Sequence, residues 1–184
     1  MRSGWGYGFI GYIFPVFLST LNDTLLKPNF IQPIAELIKW DYFFDADDIA
    51  PTIYNKWIDQ FEKLIWQDNL GKSYDEILWP DYSRLEQLIT KEQNSKWIDD
   101  IRTDKLETFA ELVYVSFEYT IQNLSEELGE ISVSWQWGKY RGTDILHIAK
   151  ISGFGVKDLF TGGRKLIPNA TRDYYGPSWR YIVE

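Results

Sequence analysis

The stretch "DKLETFAELVYVSFEYTIQNLSEELG", residues 104–129, decides the fold class of this chain. Its apolar residues recur every three or four positions over almost its whole length, which predicts a long amphipathic helix. Asp104 stands near the predicted start, and Gly129 follows as the expected C-terminal stop. The predicted buried stripe consists of Leu106, Phe109, Ala110, Val113, Phe117, Ile121, Leu124 and Leu128.

The sequence before this stretch shows further helical periodicity. Apolar spacing predicts helices over residues 12–22, 30–38, 49–65 and 83–91. The helix over 49–65 carries an aromatic stripe, which favours a place in the core and argues against a cofactor site. Three carboxylates precede that helix and are expected to act as capping and dipole residues. They are Asp45, Asp47 and Asp48.

Beyond Gly129 the apolar period changes from helical to alternating. The segment "ISVSWQW" (131–137) predicts a half-buried strand, "DILHIAKI" (144–151) a second strand, and "SWRYIV" (178–183) a third. The expected fold class is therefore α+β, with a helical portion over 1–129 and a strand-rich tail over 130–184. Because two or three short strands make a poor free-standing sheet, we expect residues 1–184 to form a single incomplete domain. The tail would then add strands to a sheet supplied by other residues.

Composition excludes several classes of function. The chain is 45% hydrophobic and 17% aromatic, which is enough for one sizeable core. Its formal net charge of -8, without a basic run, argues against nucleic acid as a partner. Without cysteine there can be no disulfide, thiolate zinc site or cysteine nucleophile. The apolar start is broken by glycines and Pro15, which argues against a signal peptide and against a membrane span.

The residues themselves show no convincing active site. His147 is the only histidine, so the chain cannot assemble a histidine triad or a multi-histidine metal site. The segment "TGGRK" (161–165) lacks the spacing of a phosphate loop and is interpreted as a turn. Glu126 and Glu127 are adjacent on the long helix and therefore do not face each other. No catalytic residue, cofactor site or metal site is predicted within this chain.

The order of several short motifs is more informative than any one of them. A long helix ending in "LG" is followed by "WQWGK" (135–139), a histidine-containing segment, "TGGRKLIPNA" (161–170) and "GPSWRYIVE" (176–184). In this order the chain resembles the C-terminal part of the β chain of the penicillin acylase (penicillin amidase) family. The matching motif residues, for which the resemblance implies a structural role, are Trp135, Trp137, Gly138, Gly162, Gly163, Asn169, Gly176, Pro177, Ser178 and Arg180. Tyr140 departs from the pattern, since many relatives have a histidine there.

The resemblance implies a place in an N-terminal nucleophile hydrolase with a four-layer αββα sandwich, which the terminal strand would help to complete. In such enzymes a precursor cuts itself and exposes a serine that hydrolyses linear amides through an acyl-enzyme. The nucleophile, the oxyanion donors and any calcium ligands are expected upstream of this chain. Its partner would be the remainder of its own precursor, namely the α chain and the N-terminal part of the β chain. The parent would be a bacterial periplasmic or extracellular protein, and the chain alone is expected to be inactive.

An alternative of a different class is a self-contained helical module that binds a protein or a ligand through its aromatic surface. The two hypotheses differ in where apolar residues lie. An excised piece should leave the apolar residues near 5–17 and along the terminal strand exposed, or paired between copies. A self-contained module should bury them within one chain. The accepted acyl group, whether from β-lactams, peptides or lactone signals, stays open.

Overall fold

The computed structural model describes residues 9–22, 27–71, 80–147, 149, 151 and 153–164. These residues form six α-helices: α1 (Phe9–Asn22), α2 (Ile31–Lys39), α3 (Ala50–Leu70), α4 (Tyr82–Lys91), α5 (Phe109–Leu128) and α6 (Trp137–Arg141). Two 3₁₀ turns, Pro28–Phe30 and Val133–Trp135, precede α2 and α6. The predicted helices over 12–22, 30–38, 49–65 and 83–91 are thus confirmed, with ends that differ by a few residues.

Helices α3 and α5 pack most extensively against each other and form the centre of the molecule. Trp57 of α3 is fully buried there, and its indole N–H donates to the Val113 carbonyl oxygen (3.2 Å) and the Ser116 hydroxyl (3.0 Å) of α5. Its ring lies 4.7 Å from that of Phe117 and 5.0 Å from that of Phe17. The aromatic stripe of α3 is therefore core, as predicted. Trp57 thus fills the space between α3 and α5 with its large ring and also hydrogen-bonds to polar atoms of α5.

Helix α1 packs on α4 and α5 and contributes to the same core. Its inward residues are buried, whereas Tyr12 is 62% exposed. An excised piece was expected to expose the apolar residues near 5–17. In the described part of that stretch, residues 9–17, the inward apolar side chains are buried instead. The buried residues of α1 are Ile10, Ile13, Phe14, Phe17 and Leu21. Among the helices described, none combines the length and apolar character needed to cross a bilayer.

The boundaries of α3 and α5 correct two details of the sequence prediction. Helix α5 begins after Thr108, which forms a capping box with Glu111, so Asp104 does not start it. Leu106, placed on the predicted buried stripe, is consequently 77% exposed. Gly129 ends α5 as expected, with a φ of 76° that favours glycine. The N-cap of α3 is Ile49, and no side chain caps it, so the predicted capping by the preceding carboxylates is wrong at that residue.

The predicted strand-rich tail is not found in the described residues. The segment 131–137 contains the Val133–Trp135 turn and the start of α6 instead of a strand. Trp135 and Trp137 are both buried, but Val133 is 59% exposed, so the alternating pattern does not reflect a pleat. In the segment 144–151 only an isolated antiparallel bridge, Ile145 to Val156, is described. The third predicted strand, 178–183, lies outside the described residues.

Candidate functional site

The loop over residues 44–48, before α3, is where the motif segments meet. The Trp137 amide donates to the Asp48 carbonyl oxygen (2.8 Å), and the Gly138 amide donates to the Ala46 carbonyl oxygen (2.9 Å). The ring of Trp137 also lies 5.2 Å from that of Phe44, at the beginning of the loop. These main-chain bonds fix the start of α6 against the loop, and they explain why this segment is helical and not extended.

The Gly162–Gly163 turn lies on the same loop from the other side. The Gly163 amide donates to the Phe44 carbonyl oxygen (2.7 Å), and its own carbonyl accepts from Trp137 Nε1 (2.8 Å) and Arg141 Nη1 (3.0 Å). A Cβ atom at Gly162 would stand 2.6 Å from the Phe44 carbonyl oxygen. Only glycine permits this approach, because the obstructing atom belongs to the backbone.

The structure therefore brings four of the ten motif residues together, namely Trp137, Gly138, Gly162 and Gly163. Trp135 lies apart, fully buried near the end of α5, where its indole N–H donates to the Gly129 carbonyl oxygen (3.3 Å). The other five lie outside the described residues: Asn169, Gly176, Pro177, Ser178 and Arg180. His147 lies away from the junction, and its Nδ1 accepts from the Ala149 amide (3.3 Å).

The residue directly after the turn, Arg164, extends over a set of aromatic rings. Its guanidinium carbon lies 5.4 Å from the ring centroid of Phe44, 5.8 Å from that of Tyr54 and 5.9 Å from that of Tyr82. These distances are typical of cation–π contacts. The charge of Arg164 also works to lower the pKa values of two carboxyl groups of α3, Asp59 and Glu62, without a direct ion pair among the described contacts. We call the surrounding set the arginine cradle: Phe44, Tyr54, Asp59, Glu62 and Tyr82.

The two carboxylates of the arginine cradle are one helical turn apart on α3 and are withdrawn from water. Glu62 is 8% exposed, and burial, assisted by the neighbouring charge of Asp59, raises its pKa to about 7. Burial also raises the pKa of Asp59, whose Oδ2 accepts from Asn55 Nδ2 (3.1 Å). The positive charge of Arg164 opposes both increases. Desolvation therefore outweighs attraction for both groups.

The two phenols of the arginine cradle stay neutral at physiological pH. Burial raises the pKa of Tyr54 above its usual range and also raises the pKa of Tyr82, while Arg164 opposes both increases. Tyr54 is fully buried, and its hydroxyl makes no regular hydrogen bond among the described residues. Arg164 is nevertheless close enough to act on this hydroxyl by hydrogen bonding as well as by charge. The Tyr54 hydroxyl therefore already faces the guanidinium group that occupies the cradle.

Sequence analysis did not identify the arginine cradle, although the sequence holds one signal of it. Residues 54, 58, 62 and 66 follow a spacing of four on α3, and three of them are Tyr54, Ile58 and Trp66. Glu62 interrupts this otherwise apolar row. An acid in such a row is expected to be buried and to need a cation. The identity of that cation, about 100 residues away in the chain, could not be read from local spacing.

A groove of about 530 Å³ lies along the outer side of α5. Its rim carries two cations that are already paired, Arg102 with Asp100 and Lys105 with Glu111. The described residues hold no group of three or more histidine, aspartate or glutamate side chains that could bind a metal. The five residues of the arginine cradle include no serine, threonine or lysine that could act as a nucleophile. In the groove, the exposed Thr103 hydroxyl donates to Glu107 Oε1 (2.7 Å) and to the Lys105 carbonyl oxygen (2.9 Å).

Comparison with known proteins gives one finding. The family model described as penicillin amidase matches residues 13–184, which is nearly the whole chain. The match covers all six helices except the first four residues of α1, and it includes both the junction at loop 44–48 and the arginine cradle. Neither a curated protein nor a solved structure matches the chain.

Proposed function

Because this chain belongs to the penicillin amidase family, we propose that it is the C-terminal part of the β chain of an amidohydrolase that cleaves linear amide C–N bonds. The observation that carries the proposal is the match of the family over residues 13–184. A second observation supports it. Two of the motifs on which the resemblance rests, Trp137–Gly138 and the Gly162–Gly163 turn, both hydrogen-bond to loop 44–48 and so stabilise the same region.

In this proposal the parent enzyme is an N-terminal nucleophile hydrolase. A serine exposed by self-cleavage attacks the amide carbonyl, its own α-amino group takes the proton, and hydrogen-bond donors stabilise the oxyanion. The amine leaves, and water then releases the acyl group. All of these groups belong to the upstream part of the precursor. The present chain supplies a helical scaffold, and we expect no amide hydrolysis from it alone.

The partner that we propose is the remainder of the same precursor. The described residues of the segment 143–161, which we call the apolar arm, support this, because six large apolar side chains among them are 39–73% exposed. They are Ile145, Leu146, Ile151, Phe154, Val156 and Phe160. Exposed apolar patches mark interaction sites, and this one lies in the tail that was expected to dock. We further propose that the parent is an exported bacterial protein.

Calcium belongs to the upstream part of the parent in this proposal. The described residues do not fit a calcium site, because they bring no three acidic side chains together around one point.

Hydrolysis of a phenylacetyl anilide tests the proposed function. The full-length precursor and the purified 184-residue chain are assayed side by side, with a mock preparation as the blank. Turnover by the processed precursor and none by the chain is the expected result. Turnover by the purified chain above the blank would overturn the proposal that the catalytic groups lie in the upstream part of the precursor. Absence of activity of the processed precursor on a panel of linear amides would overturn the amidohydrolase proposal.

A second candidate function, a self-contained helical binding module, is favoured by one observation. The inward apolar residues of α1, from Ile10 to Leu21, are buried within the chain, as a module requires. Sedimentation of the purified chain separates the two candidates. The incomplete domain is expected to self-associate through its exposed apolar arm, whereas a module is expected to be a monomer that unfolds cooperatively.

A further inference from the structure

The arginine cradle has the chemistry of a receptor for one particular cation. Its rings lie beside a planar charge, the hydroxyls of Tyr54 and Tyr82 can accept hydrogen bonds from it, and its two carboxylates attract it. A guanidinium group is planar, stacks on aromatic faces and carries five donors, whereas an ammonium group is compact and strongly hydrated. The combination of aromatic faces and carboxylates therefore fits a guanidinium better than an ammonium group.

The charges around the cradle show why a cation is needed there. Asp59 is attracted by Lys56, Lys63 and Arg164, but Arg164 is the one cation that acts on Glu62 in the described part of the chain. Without Arg164, burial and the like charge of Asp59 would act on Glu62 with no opposing cation, so the carboxyl would stay protonated to a higher pH. Ionised Glu62 therefore depends on a cation in the cradle.

The segment before Arg164 is held in place by its own contacts. Hydrogen bonds from the Gly163 amide to Phe44, and to the Gly163 carbonyl from Trp137 and Arg141, fix the turn against loop 44–48. A ligand group on a fixed backbone pays little ordering entropy when it binds. The turn therefore presents Arg164 to the cradle at a high effective concentration.

We propose that the arginine cradle is a guanidinium-binding site whose ligand in this chain is Arg164. By filling the site, Arg164 fastens the Gly162–Gly163 turn to helix α3. The site accepts alkylguanidinium cations as a class, and an added cation of this kind replaces the side chain when Arg164 is shortened.

Chemical rescue tests this proposal. The Arg164→Ala variant empties the cradle, and ethylguanidinium is the probe, with ethylammonium as the matched cation of different shape. Ligand-observed NMR is expected to show saturable binding of ethylguanidinium to the variant with a Kd of roughly 1–10 mM, together with a higher melting temperature. Binding to the unchanged chain, and binding of ethylammonium to the variant, should each be at least tenfold weaker.

A further variant locates the binding. Adding Asp59→Asn and Glu62→Gln to Arg164→Ala is expected to weaken the affinity for ethylguanidinium at least tenfold. Equal binding of the probe to the unchanged chain, to Arg164→Ala and to the triple variant would overturn the proposal, and so would absence of binding to Arg164→Ala.

If the Arg164→Ala variant does not fold, the Arg164→Lys variant tests the same proposal through its stability. Lysine retains the positive charge but not the planar group, so its denaturation midpoint is expected to lie below that of the unchanged chain. A midpoint equal to that of the unchanged chain would contradict a site selective for guanidinium.

Discussion

Replacement of Glu62 by glutamine should stabilise the chain at alkaline pH and leave its stability unchanged in acid. The side chain is 8% exposed, and its pKa rises from an ordinary value of 4.5 to about 7 in the folded protein. Since one pKa unit corresponds to about 1.4 kcal/mol, this rise in the pKa corresponds to roughly 3–3.5 kcal/mol. Glutamine keeps the size and removes the charge.

The direction of the effect follows from proton binding. Below pH 4.5 the carboxyl is protonated in both the folded and the unfolded chain, and it contributes no difference. Between pH 4.5 and 7 the unfolded chain ionises first, so the folded state loses about 3 kcal/mol of stability as the pH rises. Above pH 7 the full loss is present. The Glu62→Gln variant avoids this loss.

Chemical denaturation at pH 4 and pH 8.5 measures the effect. The free energy of unfolding of the variant should exceed that of the unchanged chain by about 3 kcal/mol at pH 8.5 and be nearly equal at pH 4. Glu130→Gln is the matched control, because Glu130 is exposed and makes no hydrogen bond or ion pair among the described residues. A gain below about 1 kcal/mol at pH 8.5, or the same gain at both pH values, would refute the reasoning.

Three further substitutions test single features of the fold through the free energy of unfolding. Thr108→Ala removes the capping box of α5 and should cost about 1 kcal/mol, whereas Thr90→Ala, at an exposed residue of α4, should change little. Gly162→Ala places a Cβ atom 2.6 Å from the Phe44 carbonyl oxygen and should cost about 2 kcal/mol; a neutral result would contradict the close approach. Trp57→Phe removes the indole N–H bonds into α5 and should cost about 2–3 kcal/mol, and a loss below 1 kcal/mol would contradict its central place.

The helices could be predicted because rows of large apolar residues at helical spacing determine both the element and its buried face. Helix α5 ends at Gly129 as predicted, since the residue takes a φ of 76°. Its start was misplaced because Asp104 resembles a cap, while the effective signal was Thr108 followed three residues later by Glu111. The local sequence therefore offers two candidate N-caps for α5, and the structure uses Thr108 and not Asp104.

The tail could not be predicted from spacing, because its conformation depends on distant backbone groups. Trp135 and Trp137 alternate with polar residues as in a strand, but a 3₁₀ turn followed by a helix also buries both. The deciding contacts are hydrogen bonds from the start of α6 to loop 44–48, almost 90 residues earlier in the chain. The same holds for Arg164, which was interpreted as part of a turn and lies in the arginine cradle.

Sequencing the gene upstream of the codon for Met1 directly tests our proposal that this chain is the C-terminal part of a penicillin amidase-type hydrolase. We expect an open reading frame that continues upstream to a self-cleavage junction followed by a serine codon. A stop codon and a ribosome-binding site immediately before Met1 would contradict it, and the self-contained binding module would then be the better hypothesis.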